Sequence, residues 1–254
     1  MKRICALLIA LVCIFTLTAS AYAANPDPYT LYSSAVEKMG KVTSFQVDNL
    51  IKMKFSYGST SSSTMSMTME VKYTTKLRIT DDGKLEMSMV MKDNELGMDM
   101  EAYYKNGYYY MSSGNRKVRY KMSEAVALSQ SGATGFGAMK AWFEDAAIEQ
   151  LDTGKRIKYA IPSKQIDSIM DTAMGALTSD GTGGNSYRFS KVNCYTTVAD
   201  NGYIRSHQMS FTMADKNDTS TKVGYTFFKQ YSRLNNVSSI SFPTDLSTYK
   251  TIAA

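Results

Sequence analysis

The sequence predicts an α+β fold: a curved antiparallel sheet, an incomplete β-barrel, with amphipathic helices packed in its concave face. Three observations carry this. From Ser44 to Met122 apolar residues recur at every second position between short turn signals, the pattern of a meander with one wet face. One of these strands, Thr64 to Thr80, could reach ~50 Å at ~3.3 Å per residue, and strands of that length twist and coil around whatever fills their concave side. Between this meander and a second group of strands lie two stretches with helical periodicity, 138–151 and 163–177.

Taken in order, Asp27-Pro28 opens a helix in cap-then-N1 style, Leu31, Ala35, Val36 and Met39 form its apolar stripe, and Gly40 closes it. The period then switches to two. Phe45, Val47, Ile51, Met53, Phe55 and Tyr57 share one face, with Gln46, Asp48, Lys52 and Lys54 on the other. After GSTSSS come Met65, Met67, Met69, Val71, Tyr73, Leu77 and Ile79 against Ser66, Thr68, Glu70, Lys72 and Arg78. Asp82-Gly83 signals a hairpin into Leu85, Met87, Met89 and Met91, and Met98, Met100, Ala102 and Tyr104 follow. Asn106-Gly107 is a second hairpin signal, before YYYM and a short strand around Val118 to Met122.

The stretch AMKAWFEDAAIEQL (138–151) places Met139, Trp142, Phe143 and Ala146 on one helical side. Ser163, after Pro162, caps a helix with Ile166, Ile169, Met170, Ala173, Met174 and Leu177 in a single stripe. SQSGATGFG and TSDGTGG are Gly/Ser-rich loops. Strands return at Ser186 to Ala199, Tyr203 to Ala214 and Lys222 to Tyr231, before SSISFPTDL ends the fold.

The first residues have the three parts of a secretory signal: Lys2 and Arg3, the apolar run Ile4 to Leu17, and an A-x-A site at Ala21-Tyr22-Ala23. Cleavage after Ala23 is expected, leaving 24–254 as one domain. Val12 before Cys13 is too bulky for a lipoprotein signal, so release from the membrane is expected. The mature chain keeps one cysteine, Cys194, so no intramolecular disulfide can form and stability must come from burial. Without Lys2 and Arg3 there remain 27 basic against 23 acidic residues, a net charge of +4, dispersed rather than in runs. Such a surface suits solubility or anionic envelope polymers, with no nucleic-acid partner expected.

Alternating methionine can be a plain apolar face, a thioether site for a soft metal, or the wall of an apolar pocket. A metal site needs a few ligands converging at one point, and these methionines run the length of several strands with one His and one mature Cys to help. No metal and no cofactor is expected. Unbranched thioethers adapt their shape to varied guests, which suits a pocket wall, although a dry core would have the same pattern. No catalytic residue is expected either. His207, the sole histidine, lies mid-strand in YIRSHQMSF with no nucleophile elbow, and GTGG lacks the strand-before, helix-after context of a phosphate loop. Tyr103, Tyr104, Tyr108, Tyr109 and Tyr110 flank the Asn-Gly turn, so alternate rings should face outward, either paired across strands or as an exposed aromatic rim.

YYKNGYYYM (103–111), KVRYKM (117–122) and NNVSSISFPTDLSTYK (235–250) resemble a large family of secreted proteins and lipoproteins from Gram-positive bacteria, built on the LolA/LppX-like lipoprotein-carrier fold. The resemblance spans nearly the whole mature chain. It implies a sheet wrapped around a lipid-sized cavity and brings no catalytic residues with it. The expected function is a non-catalytic, secreted, monomeric binding protein for an apolar ligand (lipid, lipidated protein or hydrophobic peptide) at the cell envelope. The sheet wall would be Phe45, Ile51, Met53, Phe55, Met65, Met67, Met69, Met87, Met89, Met98 and Met100, and the helical wall Trp142, Phe143, Ile166, Met170 and Met174. The alternative is an interaction module with a filled core that binds a protein or cell-wall partner through its outer face.

Overall fold

A computed structural model describes residues 27–57, 65–93, 98–130, 137–168, 187–216 and 220–252, with Lys92, Asp93, Met98, Ser129 and Gln130 described by their backbone alone. The described elements are α1 (Pro28–Met39), β1 (Ser44–Tyr57), β2 (Met65–Ile79), β3 (Leu85–Asp93), β4 (Met98–Lys105), β5 (Tyr108–Ser113), β6 (Arg116–Lys121) and α2 (Glu124–Gln130). A 3-10 turn (Lys140–Phe143), β7 (Ala147–Leu151), β8 (Gly154–Ile161) and a helical segment at 163–168 come next. β9 (Tyr187–Phe189), β10 (Val192–Val198), β11 (Ile204–Asp215), β12 (Thr221–Ser232), a second 3-10 turn (Leu246–Thr248) and β13 (Lys250–Thr251) complete them.

Among the described residues the strands are hydrogen-bonded in the order β13-β6-β5-β4-β3-β2-β1-β12-β11-β10-β8-β7, with β9 also on β11, so the sheet is open. The pairings β2–β3, β3–β4, β4–β5, β5–β6, β7–β8, β8–β10, β10–β11 and β9–β11 are antiparallel, and β13 lies parallel on β6. This is the α+β class with an open antiparallel sheet that the alternation predicts. Among the described residues no helix is long and apolar enough to cross a membrane.

The residues group into two compact units. Unit 1 comprises Met1–Gly40, Ile51–Glu70 and Gly135–Phe228, and unit 2 comprises Lys41–Leu50, Val71–Thr134 and Lys229–Ala254, so β1, β2 and β12 contribute to both.

In unit 1, α1 forms as its termini dictate. Asp27 accepts from the Thr30 amide at 2.9 Å and from its hydroxyl at 2.7 Å, and Pro28 takes N1. Tyr32, Ala35 and Met39 are buried. Tyr32 packs tilted on Phe143 (5.2 Å between centroids) and edge-on to Tyr159 (5.6 Å), while Phe143 stacks on Tyr159 at 4.3 Å. The chain's second half departs from expectation here. Residues 138–151 do not make one helix. Trp142 and Phe143 are both buried on a single 3-10 turn, and 147–151 is an edge strand paired with β8 from Ala147↔Lys158 to Leu151↔Gly154. The physical reason is the partner strand: Ile157, Tyr159 and Ile161 alternate inward, and Glu149 meets Lys158 across the pair at 2.9 Å. The expected strand from Ser186 to Ala199 is two strands. At the break the Ser190 hydroxyl accepts from the Thr212 amide at 2.8 Å, replacing a ladder bond. Residues 163–168 are helical with Ile166 buried, and 169–177 lie outside the described residues. The loop residues 131–136 and 178–184 do as well.

In unit 2 the meander follows its turns. Asn106 and Gly107 both have positive φ (53° and 78°), the pair a tight right-twisted hairpin requires. α2 was not foreseen. Ser123 starts it, its hydroxyl accepting from the Val126 amide at 3.3 Å, and Ala127 is fully buried. Of the two readings of the tyrosines, pairing across strands is the one found: Tyr103 lies opposite Tyr110 and Tyr104 opposite Tyr109. Tyr103 and Tyr110, on the outer face, are buried with Tyr249 in a cluster that Phe242 and Leu246 close, so the C-terminal segment covers them. Ring contacts at 6.0 Å (Tyr103–Phe242) and 5.6 Å (Tyr110–Tyr249) hold that segment down, as does the Lys117–Asp245 ion pair.

Candidate functional site

The pairing registers of unit 2 arrange its inner face in rows across the strands. The contacts Thr43–Ile79 and Asp48–Thr74 fix β1 against β2, and the pairing registers continue through β6. The first row is Phe45, Leu77, Met87, Tyr104, Tyr109 and Tyr120, and the second is Val47, Thr75, Met89, Ala102, Met111 and Val118. Met87, Val47, Thr75 and Ala102 are fully enclosed, so through β4 these rows are core. The Tyr104 hydroxyl donates to the Met122 carbonyl at 3.1 Å, the polar handle a buried tyrosine needs. Burial, and then the nearby Glu124 carboxylate, raises the Tyr104 phenol above its ordinary range.

The third row differs. Asn49 is buried, while Tyr73, Met91 and Met100 are only half-buried. Desolvation pushes the Tyr73 phenol up to about 12, so it stays a neutral hydroxyl. On the far side of β1, β12 presents Tyr231 and Lys229 to the same face, and Tyr231 lies edge-on to Phe45 at 6.0 Å. Lys229 is half-buried, and desolvation lowers its ammonium from 10.5 to about 8.

In unit 1 the corresponding faces of β1 and β2 become progressively exposed toward their shared end. Met53 is buried, Ile51, Phe55 and Met69 are half-buried, and Tyr57, Met67 and Met65 stand 45%, 57% and 76% exposed. Phe55 and Tyr57 lie parallel, their centroids 6.4 Å apart. A second apolar surface of unit 1 stacks Phe211 on Tyr225 (5.2 Å) and on Phe227 (6.0 Å).

The residues singled out as sheet and helix walls therefore fall into two sets. Phe45, Met87, Met89 and Met100 belong to unit 2. Ile51, Met53, Phe55, Met65, Met67, Met69, Trp142, Phe143 and Ile166 belong to unit 1. Trp142 is locked by its indole N–H on Gln165 Oε1 at 2.5 Å, and Phe143 is committed to Tyr32 and Tyr159. Met98 contributes its backbone to β4, and Met170 and Met174 lie outside the described residues. Asn49 and Lys229 were missed. Their signal was a break in parity: each is a polar residue at an inward position, Asn49 between Val47 and Ile51 and Lys229 between Phe227 and Tyr231.

The other candidates for chemistry are closed. His207 is buried, with Nδ1 paired to the Thr196 hydroxyl at 2.8 Å. Cys194 is 1% exposed, and burial raises its thiol to about 12, far from a reactive thiolate at neutral pH. Among the described residues no three His, Cys, Asp or Glu side chains gather where they could hold a metal ion.

Residues 28–250 match a family of unknown function, DUF6612. The chain belongs to that family. Similar solved structures include a LolA superfamily protein from Nitrosomonas europaea (9% identity, TM-score 0.29, 87% of this chain and 97% of that one). A DUF1329 family protein from Desulfovibrio piger aligns over 86% of this chain and 96% of its own, at 9% identity and a TM-score of 0.29. A putative outer membrane lipoprotein-sorting protein domain from Vibrio parahaemolyticus aligns over 78% and 88%, at 8% and 0.23. No curated protein matches.

Proposed function

We propose that this DUF6612 chain is a non-catalytic, secreted binding protein for an apolar ligand at the cell envelope. The observation that carries the reading is the incomplete coverage of its methionine face: Met65 and Met67 stand exposed in unit 1, and Met91 and Met100 are half-buried in unit 2. An apolar ligand laid on either surface gains ~25 cal/mol for each Å² it removes from water. Unbranched thioethers reshape around flexible chains at little cost. The secretory leader ending at Ala23 supports an envelope location. Tyr103 and Tyr110 are buried with Tyr249, so the reading rests on the methionine face and not on these rings.

Native mass spectrometry of the exported protein, purified without detergent and followed by solvent extraction, tests this. Adducts in the lipid mass range are expected. A bare protein mass that persists after incubation with lipid vesicles would refute the reading.

A further inference from the structure

The shared end of β1 and β2 in unit 1 combines an exposed apolar patch with lysines set just behind it. The contacts Asp48–Thr74 and Lys52–Glu70 (2.7 Å) hold the two strands in one register, which pairs Phe55 with Met67 and Tyr57 with Met65 on one face. Tyr57, Met65 and Met67 are exposed and Phe55 is half-buried. Ser66 and Thr68 are exposed on the opposite face. From Phe55 to Met69 the sequence has no charged side chain. Lys52 and Lys54 come immediately before, exposed on the Ser66 face. A Cβ at Gly224 would lie 3.8 Å from Lys54 Cβ, so β12 runs beside β1 with these two residues opposite each other. The Asn235 amide, donating to the Ser44 carbonyl, makes the two strands antiparallel. Two steps along both strands then set the exposed Lys222 opposite Ser56. On Ile51–Tyr57, Met65–Glu70 and Thr221–Phe228, Glu70 is the single acidic side chain, and Lys52 holds it.

We infer that this end of unit 1 docks on an anionic lipid bilayer, with Phe55, Tyr57, Met65 and Met67 entering the acyl boundary and Lys54 and Lys222 meeting lipid phosphates. This rests on the function proposed above and names the partner of its unit 1 surface. Binding at a bilayer surface takes apolar area together with attraction to anionic lipid, and the two lie here within a few residues of each other. Lys54 stands three residues before Tyr57, ~10 Å along a strand at ~3.3 Å per residue. That matches the ~5–10 Å to which interfacial side chains sink below the headgroups. At that level a tyrosine keeps its ring in apolar surroundings and its hydroxyl wet, and lysine stems stretch so that the ammonium stays among the phosphates. With no charge between Lys54 and Glu70, entry pays no ionic desolvation. A protein partner fits less well, because the exposed apolar area is on the order of 400 Å² against ~800 Å² for one side of a stable interface.

The test is flotation of the exported protein with vesicles of phosphatidylcholine alone or mixed with phosphatidylglycerol. The wild type is expected to float with the mixed vesicles. Lys54→Gln with Lys222→Gln should weaken that binding by ~20-fold, about fivefold for each lysine near an anionic surface. Met65→Asp with Met67→Asp should abolish flotation and Met65→Leu with Met67→Leu should keep it, with circular dichroism unchanged in both since these side chains are exposed. Tyr57→Trp should gain an emission that brominated acyl chains quench, over the constant background of the buried Trp142. Wild type and the Met65→Asp, Met67→Asp protein floating alike overturns the inference. So does self-association of the wild type that those two substitutions abolish, without flotation, which assigns the patch to a second copy of the chain. Lipid adducts in native mass spectrometry with no flotation overturn the inference and leave the binding function standing. Neither adducts nor flotation overturns both.

Discussion

Met87→Ala should lower stability by ~3 kcal/mol, whereas Met67→Ala should leave it nearly unchanged. Met87 is fully buried, with Leu77 and Tyr104 as its cross-strand neighbours. Truncation removes Cγ, Sδ and Cε. The lost transfer term is ~1.5 kcal/mol, at the lower end of the range for burying such a side chain. A void on the order of 70 Å³ adds ~1.5 kcal/mol at ~24 cal/mol per Å³ if the surroundings do not close in. The sum of ~3 kcal/mol is roughly a 150-fold change in the unfolding equilibrium. At ~2–4 °C per kcal/mol for a chain of this size, the midpoint should fall by ~6–12 °C. Met67 is 57% exposed, so its loss opens no cavity and should stay within ~0.5 kcal/mol. Thermal unfolding followed by far-ultraviolet circular dichroism measures both. Equal shifts for the two variants would refute the argument that this face passes from core to surface along its strands.

Two further outcomes follow from local geometry. Gly154 has φ +131°, and a Cβ there would sit 2.2 Å from the Val198 carbonyl oxygen, so Gly154→Ala should cost ~3 kcal/mol or more. Gly83 has φ +78° with nothing within 4 Å, and Gly83→Ala should cost only the ~1–2 kcal/mol of a left-handed residue; chemical denaturation that ranks them equally would contradict this. Lys229 supplies a pH dependence of definite sign. Its folded value of about 8 lies below the ordinary 10.5, so between these the unfolded chain binds more protons and stability rises with pH. Below pH 8 both states are protonated and the full penalty applies. The wild type minus Lys229→Met difference in unfolding midpoint, measured from pH 7 to 10.5, should therefore change in favour of the wild type, and a flat difference would show that Lys229 is not desolvated.

How far the sequence could be read depended on how local the information was. The meander was legible because alternation and its turns are local: Asn106-Gly107 adopts the positive φ angles its residue types favour, and Asp27-Pro28 caps α1 as written. The stretch 138–151 misled because Ala, Glu and Gln favour helix in isolation, while the strand Gly154–Ile161 offers 147–151 a partner. The alternation of Ile157, Tyr159 and Ile161 would have shown that partner. Asn49 and Lys229 were legible only as violations of parity. Of the wall residues, Trp142 and Phe143 were recognised as apolar but not as core contacts of α1.

Periodicity and turn chemistry were thus determined by the sequence alone, since each depends on residues within a few positions of one another. So were the class of the fold and the apolar character of the methionine face. Tertiary structure decided which methionines are core and which are surface, because burial depends on what lies across the strand. It also decided that the C-terminal segment covers Tyr103 and Tyr110, a pairing of residues more than a hundred positions apart. The enclosure of Asn49 has the same origin: it is set by the strands that pair on either side of β1, not by its neighbours in sequence.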